Sequence, residues 1–361
     1  MQKPKKIFLE AHNLKNMYSG FGQFNYWLIK SLINNAPELD FVLNAKSRKS
    51  LDVFEGKVDF QKYYALSRYP AFRIRQKFDL WHSMNQNTKI EPARKMPYVL
   101  TVHDVNFMEQ GCNSKKDKKR KALIEDKIKR SDVIVFVSHH AKKSANTFFE
   151  IPENLPQPVI YNGNPVQKVA VTTTVQNKHA AHKKPFLFCI GQFRPGKNFH
   201  SLVGMLSQLK DYNLIIAGNS NTSYGEKVAQ QIEKFGLKDR VFLTGKISES
   251  EKHFYLQNCE AFLFPSLYEG FGLPPIEAMT YGKPVFLANR TSLPEIGGDW
   301  AFYWNDFTPE AMAEVFELGM TAYRQNTEQF ERELKTRAAL FDWDNTAKQY
   351  LAVYDELLQK D

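Results

Sequence analysis

The feature that most constrains this chain is an alternation, run through twice, of short β-branched and aromatic segments with longer helical patterns. Such alternation is the mark of parallel sheets built from βαβ units, so an α/β fold is expected. In the first half, strands are predicted near Lys6–Leu9, Phe41–Leu43, Asp79–His82, Tyr98–His103, Val133–Ser138 and Val159–Tyr161. Between them, Phe24–Asn35 places Phe24, Trp27, Leu28, Ser31 and Leu32 near one helical face, and Ser138–Phe149 opens on a serine suited to cap a helix. The pattern lapses over 166–184, which reads as a linker, and restarts with strands at Pro185–Gly191, Leu214–Gly218, Val241–Thr244, Ala261–Pro265 and Pro284–Leu287. At 361 residues the chain exceeds the size at which one core keeps growing. Two domains, 1–165 and 185–341, are expected, with an amphipathic helix over about 342–361 that carries Trp343, Tyr350, Leu351, Tyr354 and Leu357.

Composition narrows the class. No run of apolar residues approaches the ~20 of a spanning helix, and the start, Met-Gln-Lys-Pro-Lys-Lys, lacks the apolar stretch of a secretory signal. Residence in the cytoplasm is the expectation, with Cys112, Cys189 and Cys259 as reduced thiols rather than a disulfide frame or zinc set. The net charge of +10 is lopsided. Residues 1–165 hold 28 Lys+Arg against 16 Asp+Glu, and the remainder 21 against 23, so an anionic partner is expected for the first half.

The densest chemistry lies in Pro265-Ser-Leu-Tyr-Glu269-Gly-Phe-Gly-Leu-Pro-Pro-Ile-Glu277, which follows an apolar strand and opens a helix. Gly270 and Gly272 let backbone approach a ligand, Pro274 and Pro275 preset the first turn, and amides of Gly270, Phe271, Gly272 and Leu273 face the anion-favouring end of a helix. Glu277 is expected in that first turn and Glu269 at the strand's carboxyl edge. A second turn, Gly191-Gln-Phe-Arg194-Pro-Gly196-Lys197-Asn198, offers the fork of Arg194 and the point charge of Lys197 to a diphosphate. In the first half, Ser19-Gly20-Phe21-Gly22 precedes a helix, His103 and Asp104 end a strand, and Ser138 and Asn162 end later ones. An ordinary reading exists for each of these alone: a capped helix, a solvated basic turn, a satisfied histidine. Their clustering at strand ends argues for a ligand site.

The Glu-x7-Glu arrangement within EGFGLPPIEAM resembles the donor-binding signature of the family 4 retaining glycosyltransferases, which have the GT-B fold. The resemblance covers nearly the whole chain, including Ser292-Leu-Pro-Glu295-Ile-Gly-Gly. It implies two Rossmann-like domains with parallel sheets facing across a central cleft, a final helix crossing back onto the first domain, and a nucleotide sugar as substrate. By resemblance, Glu277 binds the ribose hydroxyls, Glu269 the transferred sugar, and Phe271–Leu273 amides line the sugar and diphosphate. Lys197 and Arg194 stabilise the leaving group, Gly20 and Gly22 face the diphosphate and acceptor, and His103 stands near the reacting sugar. Segments 214–219 and 244–247, the latter with Lys246 and Ile247, flank the nucleotide. Many relatives place the arginine next to the lysine; here Gly196 fills that slot.

The implied reaction is retaining front-face transfer of a hexose to a glycan or lipid-linked glycan, with no cofactor and no metal required. The turn at 195–198 and the Ser292 motif lean toward mannose from GDP-mannose, with a UDP-sugar open. Two basic segments, Arg68–Lys77 and Lys115–Arg130, suit an anionic membrane surface, so peripheral attachment is a further expectation. Competing readings are a GT-B phosphorylase or epimerase-like enzyme, and a nucleic-acid-binding protein using the basic half. The phosphate-type site in the acidic half weighs against nucleic acid as the partner.

Overall fold

The computed structural model describes residues 3–166 and 184–359, which form two compact units. Unit 1 is Met1–Pro165 with Phe341–Asp361, and unit 2 is Val166–Leu340. The linker expected at 166–184 lies, apart from its two end residues, outside the described residues.

Unit 1 runs β1 (Lys6–Glu10), α1 (Gly20–Asn35), β2 (Asp40–Ala45), β3 (Asp59–Lys62), β4 (Leu80–Ser83), β5 (Tyr98–Val102), α2 (Asn106–Glu109), α3 (Lys115–Arg130), β6 (Val133–Phe136) and α4 (His139–Phe148). The strands pair in parallel in the order β3-β2-β1-β4-β5-β6. Central strands are covered on both faces, which is why they read as unbroken apolar runs rather than alternating ones. Ile7, Leu9, Leu43 and Val99 pack with Phe24, Leu28 and Leu32 of α1 on one face. Phe8, Trp81, Leu100 and Ile134 pack with Ile124 and Ile128 of α3 on the other. The expected strand at 159–161 reduces to a single bridge between Val159 and Phe136, and the short edge strand β3 was not anticipated.

Unit 2 repeats the architecture: β7 (Phe186–Ile190), α5 (Phe199–Gln208), β8 (Asn213–Ala217), α6 (Ser223–Lys234), β9 (Val241–Gly245), α7 (Glu249–Asn258), β10 (Ala261–Phe264), α8 (Leu273–Thr280), β11 (Val285–Ala288), α9 (Leu293–Gly297), β12 (Phe302–Trp304), α10 (Pro309–Gln325) and α11 (Thr327–Ala339). Its parallel sheet has the order β12-β11-β10-β7-β8-β9. Numbered within each unit, both sheets follow the doubly wound order 3-2-1-4-5-6, in which connections leave the first strand toward opposite edges. The reversal falls between β1 and β4 in unit 1 and between β7 and β10 in unit 2. Open α/β sheets bind ligands outside the carboxyl ends of the strands at that reversal.

The last helix, α12 (Trp343–Leu358), belongs to unit 1 and packs along α1. Gly163 is required by this packing, because a Cβ there would stand 2.4 Å from Trp343. Tyr350 and Tyr354 are fully buried and anchor the helix by hydrogen bonds as well as area. The Tyr354 hydroxyl lies 2.7 Å from His82 Nδ1, His82 Nε2 lies 2.8 Å from Thr101 Oγ1, and Thr101 Oγ1 lies 3.0 Å from the Tyr350 hydroxyl. Burial, with a smaller contribution from His103, pulls the His82 pKa down to about 3, so the ring is neutral within this chain of bonds.

The basic segments are less uniform than their composition suggests. Lys127 of α3 is fully buried, bonded to Ser83 Oγ at 2.8 Å and ion-paired with Glu91, whose other oxygen accepts from the Tyr98 hydroxyl at 2.9 Å. Arg120 is half-buried beside Asp104 and the Phe107 ring, and Arg130 bonds Asp126 at 2.9 Å. The solvated cations of α3 are therefore concentrated at Lys115, Lys116, Lys118 and Lys119, with Lys129 near its other end.

Replacing Tyr354 with Phe removes a hydroxyl and leaves a buried imidazole nitrogen unpaired. Such a group costs about 1–3 kcal/mol, so urea unfolding should show a lower midpoint at an unchanged slope; an unmoved midpoint would remove the anchoring role. The neutral His82 also sets a pH dependence. Its folded pKa lies below the ordinary 6.5, so its contribution is whole above pH 6.5 and is lost as pH falls toward 3. Stability should decline by up to ~1.4 kcal/mol per pH unit from this group in that window, measurable as urea midpoints across an acid series.

Candidate functional site

In unit 2, the strands flanking the reversal deliver the two motifs singled out by sequence. β7 ends at Ile190, and Gly191 continues the ladder by donating to Ala217 O at 3.0 Å. Gly218, with φ of 142°, lets the neighbouring strand end close in: a Cβ there would fall 2.0 Å from Gly191 O. The chain then makes a 3-10 turn over Pro195–Lys197, and Asn198, buried in the left-handed region at φ 55°, hands it to α5.

The loop after β10 is tied directly to this turn. Leu267 N donates to Gly196 O at 2.8 Å, and Ser266 Oγ does so at 3.3 Å. Two segments some 70 residues apart in sequence are thus held edge to edge by one backbone bond and one serine bond, both to Gly196 O. Across this seam Lys197 Nζ is ion-paired with Glu269 Oε1, and the ammonium lies 4.9 Å from the centroid of the Phe264 ring. The lysine side chain is 21% and the glutamate 15% exposed, so the pair is partly desolvated yet open on one side. Weakened solvent screening strengthens such a pair relative to one at the surface.

A third loop, absent from the expected site, shapes the second. Glu269 N donates to Thr291 Oγ1 at 3.1 Å, and Thr291 holds φ of 52° to present it. The Ser292 hydroxyl, fully buried, stands 3.1 Å from Glu269 O and 2.5 Å from Phe271 O. Gly272 follows at φ 129°, a conformation L side chains rarely adopt, and starts α8 against Leu293. Gly270 and Leu273 are half-buried and Phe271 is buried.

Glu277 departs from its expected position. It is the fifth residue of α8, one turn beyond the helix start, because Leu273, Pro274, Pro275 and Ile276 occupy the first turn. Its carboxylate is 5% exposed as a residue and is met by Lys252 Nζ of α7 at 2.9 Å rather than by the helix end. Lys252 also reaches Glu249 at 2.8 Å. Burial pushes the Glu277 pKa above the usual carboxylate range against the pull of Lys252. Burial likewise opposes charge on Lys252, but the two carboxylates outweigh it and raise that pKa. Lys252 had not been singled out; only its place in α7, packed on α8, brings it to Glu277.

The remaining candidates divide. Arg194 sits in the same turn as Lys197 with its side chain exposed, and no ion pair joins it to Glu269 or Glu277 among the described residues. Lys246 is exposed and Ile247 half-buried just after β9, where Gly245 has φ of 73°. In unit 1, His103 directly follows β5 with its ring buried edge-on to Phe21 and Phe24. Its Nε2 lies 3.0 Å from Met84 O, just past β4, and burial lowers its pKa to about 4. A neutral ring donating from Nε2 is the state that fits, next to the unit's own strand-order reversal. Gly22 is dictated by packing, since a Cβ would meet Asn16 O at 2.0 Å, while Gly20 has open space around it. Ser138 caps α4 by accepting from Ala141 N at 3.0 Å. Asn162 is buried, and its Oδ1 has no hydrogen-bond partner among the described residues.

Paired units with doubly wound sheets, one carrying a cation–carboxylate seam at its strand-order reversal, define the GT-B class of fold. Residues 171–332 match the family described as glycosyl transferases group 1. The chain is 32% identical over 184 residues to the serotype-specific mannosyltransferase WbdA of Escherichia coli, covering 48% of this chain and 22% of that protein. It is 28% identical over 249 residues to the O-antigen chain mannosyltransferase RfbU of Salmonella typhimurium, covering 67% and 66%. The chain spans 21–29% of the length of the first curated relatives it matches. Among solved structures, sucrose-phosphate synthase of Thermosynechococcus elongatus superposes with a TM-score of 0.75 at 16% identity, covering all of both chains. Anabaena HepE, solved in complex with UDP-glucose, superposes at 0.71 and 16% identity, covering 98% of this chain and 100% of that one.

Removing the Lys252 ammonium strands a buried carboxylate. Breaking one side of a buried pair costs about 3–5 kcal/mol, so Lys252→Met should lower the urea midpoint sharply and Lys252→Met/Glu277→Gln should recover much of the loss. Equal destabilisation in the single and double variants would show that the lysine acts through its packing instead.

Proposed function

We propose that the chain is a retaining glycosyltransferase that moves a hexose from a nucleotide-sugar donor to a glycan or lipid-linked glycan acceptor, in the synthesis of cell-surface polysaccharide or glycoconjugate. The observation that carries this reading is the Lys197–Glu269 pair at the strand-order reversal of unit 2, its two loops joined by the bond from Leu267 N to Gly196 O. A diphosphate competes for the lysine, and an arriving sugar offers hydroxyl donors to the carboxylate the lysine leaves. The ion pair is thus a resting state of two groups whose substrate roles are complementary.

In this reading Lys197, with Arg194, takes up the charge of the departing diphosphate, and no metal or other cofactor is invoked. Glu269 and His103 position the sugar, and Glu277 accepts from the ribose hydroxyls beside Lys252. Phe271–Leu273 amides, Gly20, Gly22, Lys246 and Ile247 keep their assignments to the donor, and Ser138 and Asn162 to the surrounding cleft. The bond from the anomeric carbon to the phosphate oxygen breaks. The acceptor oxygen bonds that carbon on the same face, and its proton passes to the departing phosphate. Mannose from GDP-mannose is favoured because WbdA and RfbU are mannosyltransferases. A UDP-linked donor is the alternative, since HepE is solved with UDP-glucose. A cytoplasmic location fits the free cysteines, and a lipid-linked acceptor would bring the enzyme to a membrane face.

Thermal-shift screening against GDP-mannose, UDP-glucose and related donors should give stabilisation by one base class, followed by donor hydrolysis and transfer with the wild type. Glu269→Ala and Lys197→Ala should each lower turnover by about 10²–10³ with the fold retained. If no nucleotide or nucleotide sugar raises the melting temperature, the transferase reading falls.

A further inference from the structure

Four large apolar side chains that stand more than half exposed, Tyr64, Leu66, Tyr69 and Phe72, lie within nine consecutive residues of unit 1. Leu66 and Phe72 lie in, and Tyr64 and Tyr69 immediately precede, two successive 3-10 turns, Ala65–Arg68 and Pro70–Phe72, that touch each other and contain no buried residue. Soluble surfaces scatter such side chains singly; a contiguous group marks an interaction face. The electrostatic frame of this face is one-signed. From Phe60 to Phe78 the chain has Lys62, Arg68, Arg73, Arg75 and Lys77 and no acidic residue. Lys62, Arg68, Arg75 and Lys77 are exposed, whereas Arg73 turns inward to Asp126 of α3 at 3.6 Å. That contact, with Ile74 packed in the same core as Ile124 and Ile128, fixes the turns against the basic helix.

We infer that this face docks on the headgroup region of an anionic lipid bilayer. Tyrosine rings suit a boundary that is apolar on one side and wet on the other, and Leu66 and Phe72 supply apolar area between them. Lysine and arginine at the rim meet anionic headgroups. A polyanion such as nucleic acid accounts for the cations but gives Leu66 no partner, and a bilayer accounts for both. The turns are presented by β3, the edge strand of the sheet, so the apolar tip projects without opening the core. The inference is read from the surface of unit 1 and stands apart from the transfer chemistry.

The test is flotation of the full chain with vesicles of phosphatidylcholine alone and of phosphatidylcholine with phosphatidylglycerol, at low and high salt. The wild type should float with the anionic vesicles and be released by salt. Leu66→Ser/Phe72→Ser should lower the bound fraction by at least about tenfold with every cation in place. Each of Arg68→Gln, Arg75→Gln and Lys77→Gln should lower partitioning about fivefold at low salt. All these side chains are exposed or at the rim, so urea midpoints and any donor-induced thermal shift should stay at wild-type values, which separates loss of docking from loss of the donor site. Two outcomes overturn the inference: no flotation with anionic vesicles, or flotation that the Leu66→Ser/Phe72→Ser variant retains in full while an oligonucleotide competes it away.

Discussion

The candidate site depends on one contact, the ion pair of Lys197 with Glu269 across the seam between the loops after β7 and β10. Each loop alone is unremarkable in physical terms: one is a basic 3-10 turn, the other a glycine-rich entry to a helix. The sheet order is what makes them meet. Because connections leave β7 toward opposite edges, no crossover covers the carboxyl ends of β7 and β10, and the two loops face one another over that gap. The bond from Leu267 N to Gly196 O then fixes their register, and the charged side chains are aligned by backbone rather than by their own attraction.

The second acidic residue of the motif is solved differently. Glu269 is held by Lys197 in a partly exposed setting, whereas Glu277 is held by Lys252 in a buried one. A buried carboxylate with no countercharge would take up a proton and lose its capacity as a pure acceptor. Lys252 opposes that uptake at the cost of desolvating a second charge, a cost the nearby Glu249 helps offset. The two glutamates are eight residues apart and share a loop-helix unit, yet one pair is open to solvent on one side and the other is enclosed.

Much of this was legible in the chain itself. The α/β class and the strands flanking both reversals follow from apolar runs, and the turns that carry Lys197 and Glu269 follow from glycines and prolines at strand ends; that the two side chains pair does not. What escaped has identifiable causes. β3 is a four-residue edge strand whose residues are half-exposed or exposed, and β12 has three residues, so neither carries an apolar run long enough to stand out. The placement of Glu277 in the first turn failed because Leu273 already belongs to the helix, which starts earlier than the two prolines suggest. Thr291 and Lys252 act on the site through tertiary packing: a left-handed threonine and a lysine on the neighbouring helix leave no local signature, and the motif that opens on Ser292 does not tell that its hydroxyl meets Glu269 O and Phe271 O. Composition also overstated the basic surface of α3, since a lysine in sequence looks the same whether it is solvated, as Lys118 is, or enclosed with Glu91 and Tyr98, as Lys127 is.

The two units resolve the same architectural problem with opposite electrostatics. In unit 2 a cation and carboxylates gather at the strand-order reversal, and the helices behind it are neutral to acidic. In unit 1 the corresponding edge holds a neutral histidine bonded to Met84 O and a buried asparagine, and the positive charge is carried elsewhere, on the exposed turns after β3 and the first turn of α3. Lysines at a helix N-terminus oppose the helix dipole, and the Ser114–Asp117 capping box supplies the only acid in that turn. Folding therefore gains little from Lys115, Lys116, Lys118 and Lys119. Arg73 ties the exposed aromatic turns to Asp126, further along the same helix, so the two basic segments of this unit share one structural element.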